Sequence, residues 1–383
     1  MRQSPAKVFG GPEIHSLHLS VVDSPVIRLT PTPKPSWHID NLFLVESPLQ
    51  ALVAVELSLS LGEQVNGLIY RLARPVRRRN NEQILKVIEF GDWFFQEAIE
   101  IPDTSGLSYH LELRKRISKV RDQLRGNVRN VFFGEFRSHW MHLVRMGVEP
   151  KKFILMDDGA VTLTVKNDYI DQSVYYPRQL FRAKNRVTDL IKATVYETTF
   201  KKRQSRRAIS IASAFLNSEA DLPVDFSALR EKIGARRPAA RETEKKAFFF
   251  GSKYSEAGIV SRAYELDFIR KVARHYDRKG LELVYCAHRD ESDLKLRYIA
   301  DSLALKVLEP DLPAEIFVLE QIGRIAEIGG AYSSILKNLS FFLPDMAITS
   351  FRLDDDALNV NNRDAIVRIY DYFTKHGITV VAL

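Results

Sequence analysis

Carboxylates gather in one half of this chain and phosphate-binding groups in the other, each just past an apolar run. Phe153-Ile154-Leu155-Met156 ends in Asp157-Asp158-Gly159. Adjacent carboxylates repel, so at least one is pushed toward a higher pKa and becomes a better base. Glu46-Ser47 and Gly134-Glu135 follow other apolar runs of the first half. The second half carries Gly251-Ser252, His288-Arg289, Glu309-Pro310 and Ser333-Ser334 in equivalent places. Most of that set is complementary to phosphate: small hydroxyls, backbone N–H groups, an imidazole and a guanidinium. A base facing an anion grip suits transfer of a group from a phosphate-activated donor to a hydroxyl. The carboxylate removes the acceptor proton, and hydrogen bonds with positive charge stabilise the departing phosphate. Side chains alternate along an extended chain, so only one of the paired aspartates is expected to face such a site. Taken singly, each group also has a plainer use. Asp158-Gly159 suits a turn, His288 a structural histidine, and Gly251-Ser252 the opening of any helix after a strand.

Strands alternating with helices must hold these tips. The stretch "NLFLVESPLQALVAVELSLSLG" (41–62) reads as a buried strand, a turn and a helix. Ser47 is a good N-cap, Pro48 fits the first helical position, and Gly62 closes the helix. "QVNGLIYRLA" and "QILKVIEFG" read as strands, 105–127 as a charged amphipathic helix, and "NVFFGE" (130–135) as a strand followed by a helix through Met146. "KFILMDDG" is the next strand. From 165 to 246 the pattern loosens, and the Pro/Ala/Arg-rich "GARRPAARETEKK" (234–246) reads as an interdomain linker. Strands return at "AFFFGS" (247–252), "LELVYCAHR" (281–289), "LKVLEP" (305–310), within "RIAEIGGAYSSILKNL", and at "MAITSF" (346–351), with helices at 260–276, 291–302, 313–321 and 363–377. The expected fold is α/β, with two doubly wound Rossmann-like domains at 39–240 and 247–351. An irregular, proline-rich arm (1–38) precedes them, and the terminal helix 363–377 is expected to pack back on the first domain. Open parallel sheets bind ligands beyond the carboxyl ends of their strands, so two such edges across a cleft bring donor and acceptor together.

Composition narrows the function classes. A chain of 383 residues with 45% hydrophobic and 27% charged residues is globular and too long for one compact core. Its single cysteine, Cys286, rules out an internal disulfide, fits a reducing compartment and reads as a buried strand residue. No run approaches the roughly 20 apolar residues of a membrane span. With no signal pattern at the N-terminus, a cytoplasmic location is expected. Lys and Arg number 56 against 48 Asp and Glu, and the formal charge of +8 favours anionic partners. The basic clusters at 71–79 and 201–207 lack the interleaved aromatics of a nucleic-acid surface. They suit a solvated face or peripheral contact with an acidic membrane. There is no Walker lysine loop or GxGxxG, which argues against ATP and NAD. Without HxxxH or clustered cysteines, neither a metal nor another cofactor is expected.

In order and spacing, "NLFLVESPLQALVAVE", "FILMDDGAVTL", "AFFFGSKYSEAG", "VYCAHRDE" and "IGGAYSSILKNLSFFLPDMAIT" resemble bacterial sialyltransferases over 41–351. They are similar to the lipooligosaccharide sialyltransferases of glycosyltransferase family fifty-two and to the related capsular polysialyltransferases. The resemblance implies a GT-B fold and an inverting, metal-independent transfer from a CMP-activated donor. Sialic acid, or a related nonulosonic or Kdo-like acid, would move to a hydroxyl of a bacterial surface glycan. It implies Asp158 as general base. It also implies contact of His288 with the CMP phosphate, as an acid toward the leaving group, with Arg289 where the family has proline. Ser333-Ser334, after Gly329-Gly330, fall on the phosphate motif, and Gly251-Ser252 on the loop near the donor. Glu309, Pro310 and Glu315 fall where relatives recognise cytidine, and Ser47, Gln50, Glu135 and Asp157 on the acceptor side. Two other readings stay open: a GT-B transferase using a UDP- or GDP-sugar, and a non-catalytic scaffold held at a membrane surface by the basic clusters.

Overall fold

The computed structural model describes residues 37–72, 78–100, 106–159, 161–177, 207–214, 216, 219–235, 246–288 and 290–383. The arm up to residue 36, most of the 234–246 linker, and much of both basic clusters lie outside these.

The first sheet holds β1 (Ile39–Val45), β2 (Asn66–Leu72), β3 (Phe95–Glu100), β4 (Val128–Phe133), β5 (Lys152–Met156), β6 (Ile209–Ser213) and β7 (Leu222–Pro223). Its order is β3-β2-β1-β4-β5-β6-β7, with every pair parallel. The second holds β8 (Lys246–Phe250), β9 (Leu283–Cys286), β10 (Lys306–Leu308), β11 (Ile325–Gly330), β12 (Ala347–Arg352) and β13 (Thr379–Ala382). Its order is β10-β9-β8-β11-β12-β13, again all parallel. Winding reverses between β1 and β4 and between β8 and β11. These are the switch points where open α/β sheets take ligands. The central strands carry near-continuous apolar runs, such as residues 42–45, 131–133 and 247–250, because helices cover both faces. The two doubly wound Rossmann-like units of a GT-B fold are thus present.

Among the described residues, the first unit has α1 (Pro48–Ser60), α2 (Arg78–Ile88), α3 (Gly106–Leu124), α4 (His139–Gly147), α5 (Val161–Val165) and α6 (Ser227–Ala235). The second unit has α7 (Arg262–Arg278), α8 (Asp293–Ser302), α9 (Ala314–Gln321), α10 (Ser334–Phe342) and α11 (Val360–Lys375). Ser47 Oγ accepts from Gln50 N at the start of α1, and Pro48 occupies the first turn, where its missing N–H costs nothing. Ten residues of α1 are buried, because it packs against α2, α6, β1 and β5. Its buried Glu56 accepts from Ala228 N and Leu229 N at the first turn of α6. α6 in turn packs on α9, and Phe226 stacks on Phe342 at 3.9 Å, so one apolar core runs from the first sheet into the second.

Several local expectations are corrected. "QILKVIEFG" is not a strand: its residues complete α2, whose buried Ile84, Val87 and Ile88 follow helical spacing. β3, β6, β7 and α6 arise in stretches with no clear pattern. The second sheet continues past 351 to β13, and α11 packs on β12 and β13 instead of returning to the first unit. Its Tyr370 is buried there and accepts from Leu353 N.

Candidate active site

Strand register brings the acidic tips together. Leu44 of β1 pairs with Phe133 of β4, and Phe133 with Leu155 of β5, so the residues just past each strand emerge side by side. Asp157 turns inward and is fully buried. It accepts from Ser213 Oγ and Ala214 N, both at 2.6 Å, and ties β5 to β6. It therefore does not stand on the acceptor side, as the resemblance implied. Asp158, half-buried, points the other way. Gln50 Nε2 donates to its Oδ1 at 2.9 Å, and its own N–H donates to Thr162 Oγ1. Gly159, at φ 72°, turns the chain into α5 through the left-handed region that glycine adopts without strain.

The group that perturbs Asp158 is Glu135, not its sequence neighbour. Burial first, then the hydrogen bond with Glu135, push the Asp158 carboxyl up to about 7, with the Gln50 donor opposing. Burial alone would raise Glu135 as well. Hydrogen bonds from the Arg137 side chain and backbone and from Asp158 outweigh it and hold Glu135 below the usual carboxylate range. Below about pH 7 the pair thus keeps one proton, carried by Asp158. Gln50 is oriented by Glu46 N, which donates to its Oε1 at 2.8 Å and leaves the amide nitrogen for Asp158. Gly134 makes room for it, since a Cβ there would lie 2.6 Å from Gln50 Oε1. Beside this group a cavity of about 560 Å³ is walled by Glu46, Arg71, His110, Glu135, Arg137 and Trp140, among others.

A second cavity, of about 300 Å³, lies between the two sheets. Ser47, Pro48, Leu49 and Gln83 line it from the first unit, and Gly251, His288, Pro310, Glu315, Ser333 and Ser334 from the second. Seven of the expected site residues, Ser47 and the last six, thus share one space. Ser333 Oγ accepts from Ile335 N and caps α10, whose N-terminal N–H groups and dipole favour an anion. His288 Nδ1 accepts from Asp290 N at 3.2 Å, so a neutral ring carries its proton on Nε2. Glu315 is buried and accepts from Asn338 Nδ2, while Asn338 Oδ1 is buried without a protein partner.

Two expected donor residues stand elsewhere. Ser252 does not line the cavity, and its carbonyl oxygen accepts from Lys295 Nζ. Glu309 is exposed, does not line the cavity, and is paired with Arg79 of α2 at 2.9 Å across the cleft. Arg289 lies outside the described residues. Arg137, Glu291, Lys295 and Asn338 were not picked out from the sequence. A lysine and a glutamate on an amphipathic helix or at its start read as solvated, and only packing shows them buried.

Residues 41–352 match the model of the alpha-2,8-polysialyltransferase family. The chain belongs to that family. Of the two groups the motifs resemble, the match is to the polysialyltransferases, and this alpha-2,8-polysialyltransferase-family chain is a glycosyltransferase-type enzyme. Family membership implies a nucleotide-sugar donor and a glycan acceptor. None of the curated proteins matches it. Among solved structures, a putative UDP-N-acetylglucosamine 2-epimerase from Listeria monocytogenes is similar at 11% identity and a TM-score of 0.47, over 86% of this chain and 82% of that one. The spinosyn forosaminyltransferase SpnP is similar at 12% identity and 0.46, over 90% and 86%. MurG from Acinetobacter baumannii is similar at 7% identity and 0.39, over 90% and 86%. These are distant likenesses, and the fold assignment stands on the strand orders of the polysialyltransferase-family chain itself. Among its described residues no group of three His, Cys, Asp or Glu side chains is placed to hold a metal ion, and no helix is long and apolar enough to cross a membrane.

Proposed function

We propose that the protein is an inverting, metal-independent sialyltransferase. It moves sialic acid, or a related nonulosonic or Kdo-like acid, from a CMP donor to a hydroxyl of a bacterial surface glycan. The carrying observation is the place of Asp158. It is hydrogen-bonded to Glu135, a wall of the acceptor-side cavity, and to Gln50, next in chain to Leu49 in the wall of the interdomain cavity.

In this reaction the ionised Asp158 takes the proton of the acceptor hydroxyl, whose oxygen bonds to the anomeric carbon. The bond from that carbon to the CMP phosphate oxygen breaks on the opposite face, and the electron pair leaves with CMP. A carboxyl near 7 is a stronger base than an ordinary aspartate and is still half-ionised at neutral pH. The His288 tautomer suits a hydrogen bond from Nε2 to the departing phosphate, which leaves as an anion and needs no proton. Ser333, Ser334 and the N-terminus of α10 stabilise the same charge. These groups can take the place of a metal because CMP is already a fair leaving group. Arg71 and Arg137 suit a carboxylate-bearing acceptor sugar. The proposed location is the cytoplasmic face of the membrane, in keeping with the basic clusters.

The test is transfer from a CMP-activated donor by wild type and Asp158→Asn, together with thermal shifts in CMP, UDP and GDP. Stabilisation by CMP and loss of transfer in the variant are expected. Stabilisation by UDP and not CMP overturns the donor assignment, and an active variant removes Asp158 as base.

A further inference from the structure

Below the nucleotide side of the cleft lies a buried charge cluster that the reaction above does not use. The ammonium of Lys295, on α8 and 1% exposed, is 2.7 Å from Glu265 of α7, 3.0 Å from Glu256 and 3.3 Å from Glu291. It also donates to the Ser252 carbonyl oxygen at 2.9 Å. A buried cation is costly unless paired and hydrogen-bonded, and here four oxygens surround it.

Three of those oxygens belong to the segments that line the donor cavity. Ser252 and Glu256 lie in the loop after β8, which begins with Gly251. Glu291 ends the turn after β9, which carries His288. Glu291 Oε1 accepts from His288 N at 2.8 Å, and its Oε2 accepts from Tyr285 Oη at 2.8 Å. Gly251 packs directly on this pair, since a Cβ there would meet Tyr285 Oη and lie 2.6 Å from Glu291 Oε1. Two further bonds close the unit: Glu256 accepts from Ser292 N, and Glu265 accepts from Ser255 N.

We propose that Lys295 and Glu291 are positioning residues for the donor, locking the Gly251 loop and the His288 turn into one phosphate-facing unit. The inference deepens the CMP-sugar reading and rests on it. Three carboxylates face the one ammonium, and burial pushes Glu291 up to about 7 against the opposing pull of Lys295 and of the His288 and Tyr285 donors. A glutamine there would resemble the protonated form and keep an oxygen for the His288 N–H.

The experiment uses the full chain, with Glu291→Ala, Glu291→Gln and Tyr285→Phe. CMP titration and steady-state kinetics are run on protein shown to be folded by thermal melting. Glu291→Ala is expected to raise the donor KM and weaken CMP binding about tenfold or more, leaving the acceptor KM unchanged. Glu291→Gln should stay within about threefold of wild type, a rescue that bulk or fold alone would not produce. Where Glu291→Ala does not fold, Tyr285→Phe carries the test, with a smaller rise confined to the donor KM. A folded Glu291→Ala or Tyr285→Phe with wild-type donor KM overturns the proposal. Equal loss toward donor and acceptor, or a glutamine variant as impaired as alanine, does so too. A wild-type protein that neither binds CMP nor uses a CMP donor shows its failure before any substitution. In that case the CMP-sugar reading falls and the positioning role falls with it.

Discussion

Gln50 Nε2 donates to Asp158 Oδ1 at 2.9 Å, joining the first turn of α1 to the tip of β5 across 108 positions of sequence. The two neighbours of Asp158 act in opposition on one carboxyl. The Gln50 donor favours its charged form, while Glu135 favours the protonated one.

Removing Gln50 therefore shifts the balance toward the proton. In Gln50→Ala the Asp158 pKa rises further, and the ascending limb of kcat/KM against pH moves to higher pH. A shift of about one unit gives a roughly tenfold loss below the limb. Gly134→Ala is expected to do the same by displacing Gln50, with the fold retained on circular dichroism.

Glu135→Gln moves the limb the other way. With the neighbouring charge gone, Asp158 ionises at lower pH, and the ratio of activity at pH 6 to that at pH 8 rises. The stability profile carries the matching sign. A carboxyl raised to about 7 in the folded state holds its proton more tightly than in the unfolded chain. Its contribution is complete below the ordinary aspartate range and is lost as pH rises through about 7. Urea denaturation of wild type and Asp158→Asn across pH 4 to about 8 reads this directly, and the variant should lack that decline.

Asp157 and Asp158 are expected to separate stability from turnover. Asp157→Ala leaves Ser213 Oγ and Ala214 N without their buried acceptor and should cost about 2–4 kcal/mol in urea denaturation. Asp158→Asn should keep the melting temperature near wild type and lower kcat by about 10²–10⁴.

Glu309 tests the reassigned donor contacts. Its exposed pair with Arg79 is worth less than about 1 kcal/mol and weakens with salt. Glu309→Ala should leave the donor KM within about twofold of wild type. A tenfold rise would put Glu309 back among the nucleotide contacts.

Much of the scaffold is legible because it rests on local interactions. Ser47-Pro48 marks the start of α1 through one side-chain bond and one absent donor, and the apolar runs of β1, β4, β5, β8 and β11 announce themselves by burial on both faces. The misreading of 83–91 has a local cause too. Ile84, Val87 and Ile88 lie three and four apart, which is helical spacing within a run short enough to pass for a strand. β3 and β13 offered little pattern because edge strands are only part-buried.

By itself the sequence determined where acids and phosphate-binding groups stand along the chain, and that they follow strands, because capping and periodicity act within a few residues. Only the tertiary structure decided that Asp157 is locked to β6 while Asp158 is hydrogen-bonded to Glu135, that Glu309 pairs with Arg79 across the cleft, and that Lys295 lies buried under the donor loops. Hydrogen-bond partners and burial depend on which strands lie side by side and in what register. The order β1-β4-β5 brings together residues that local spacing keeps far apart.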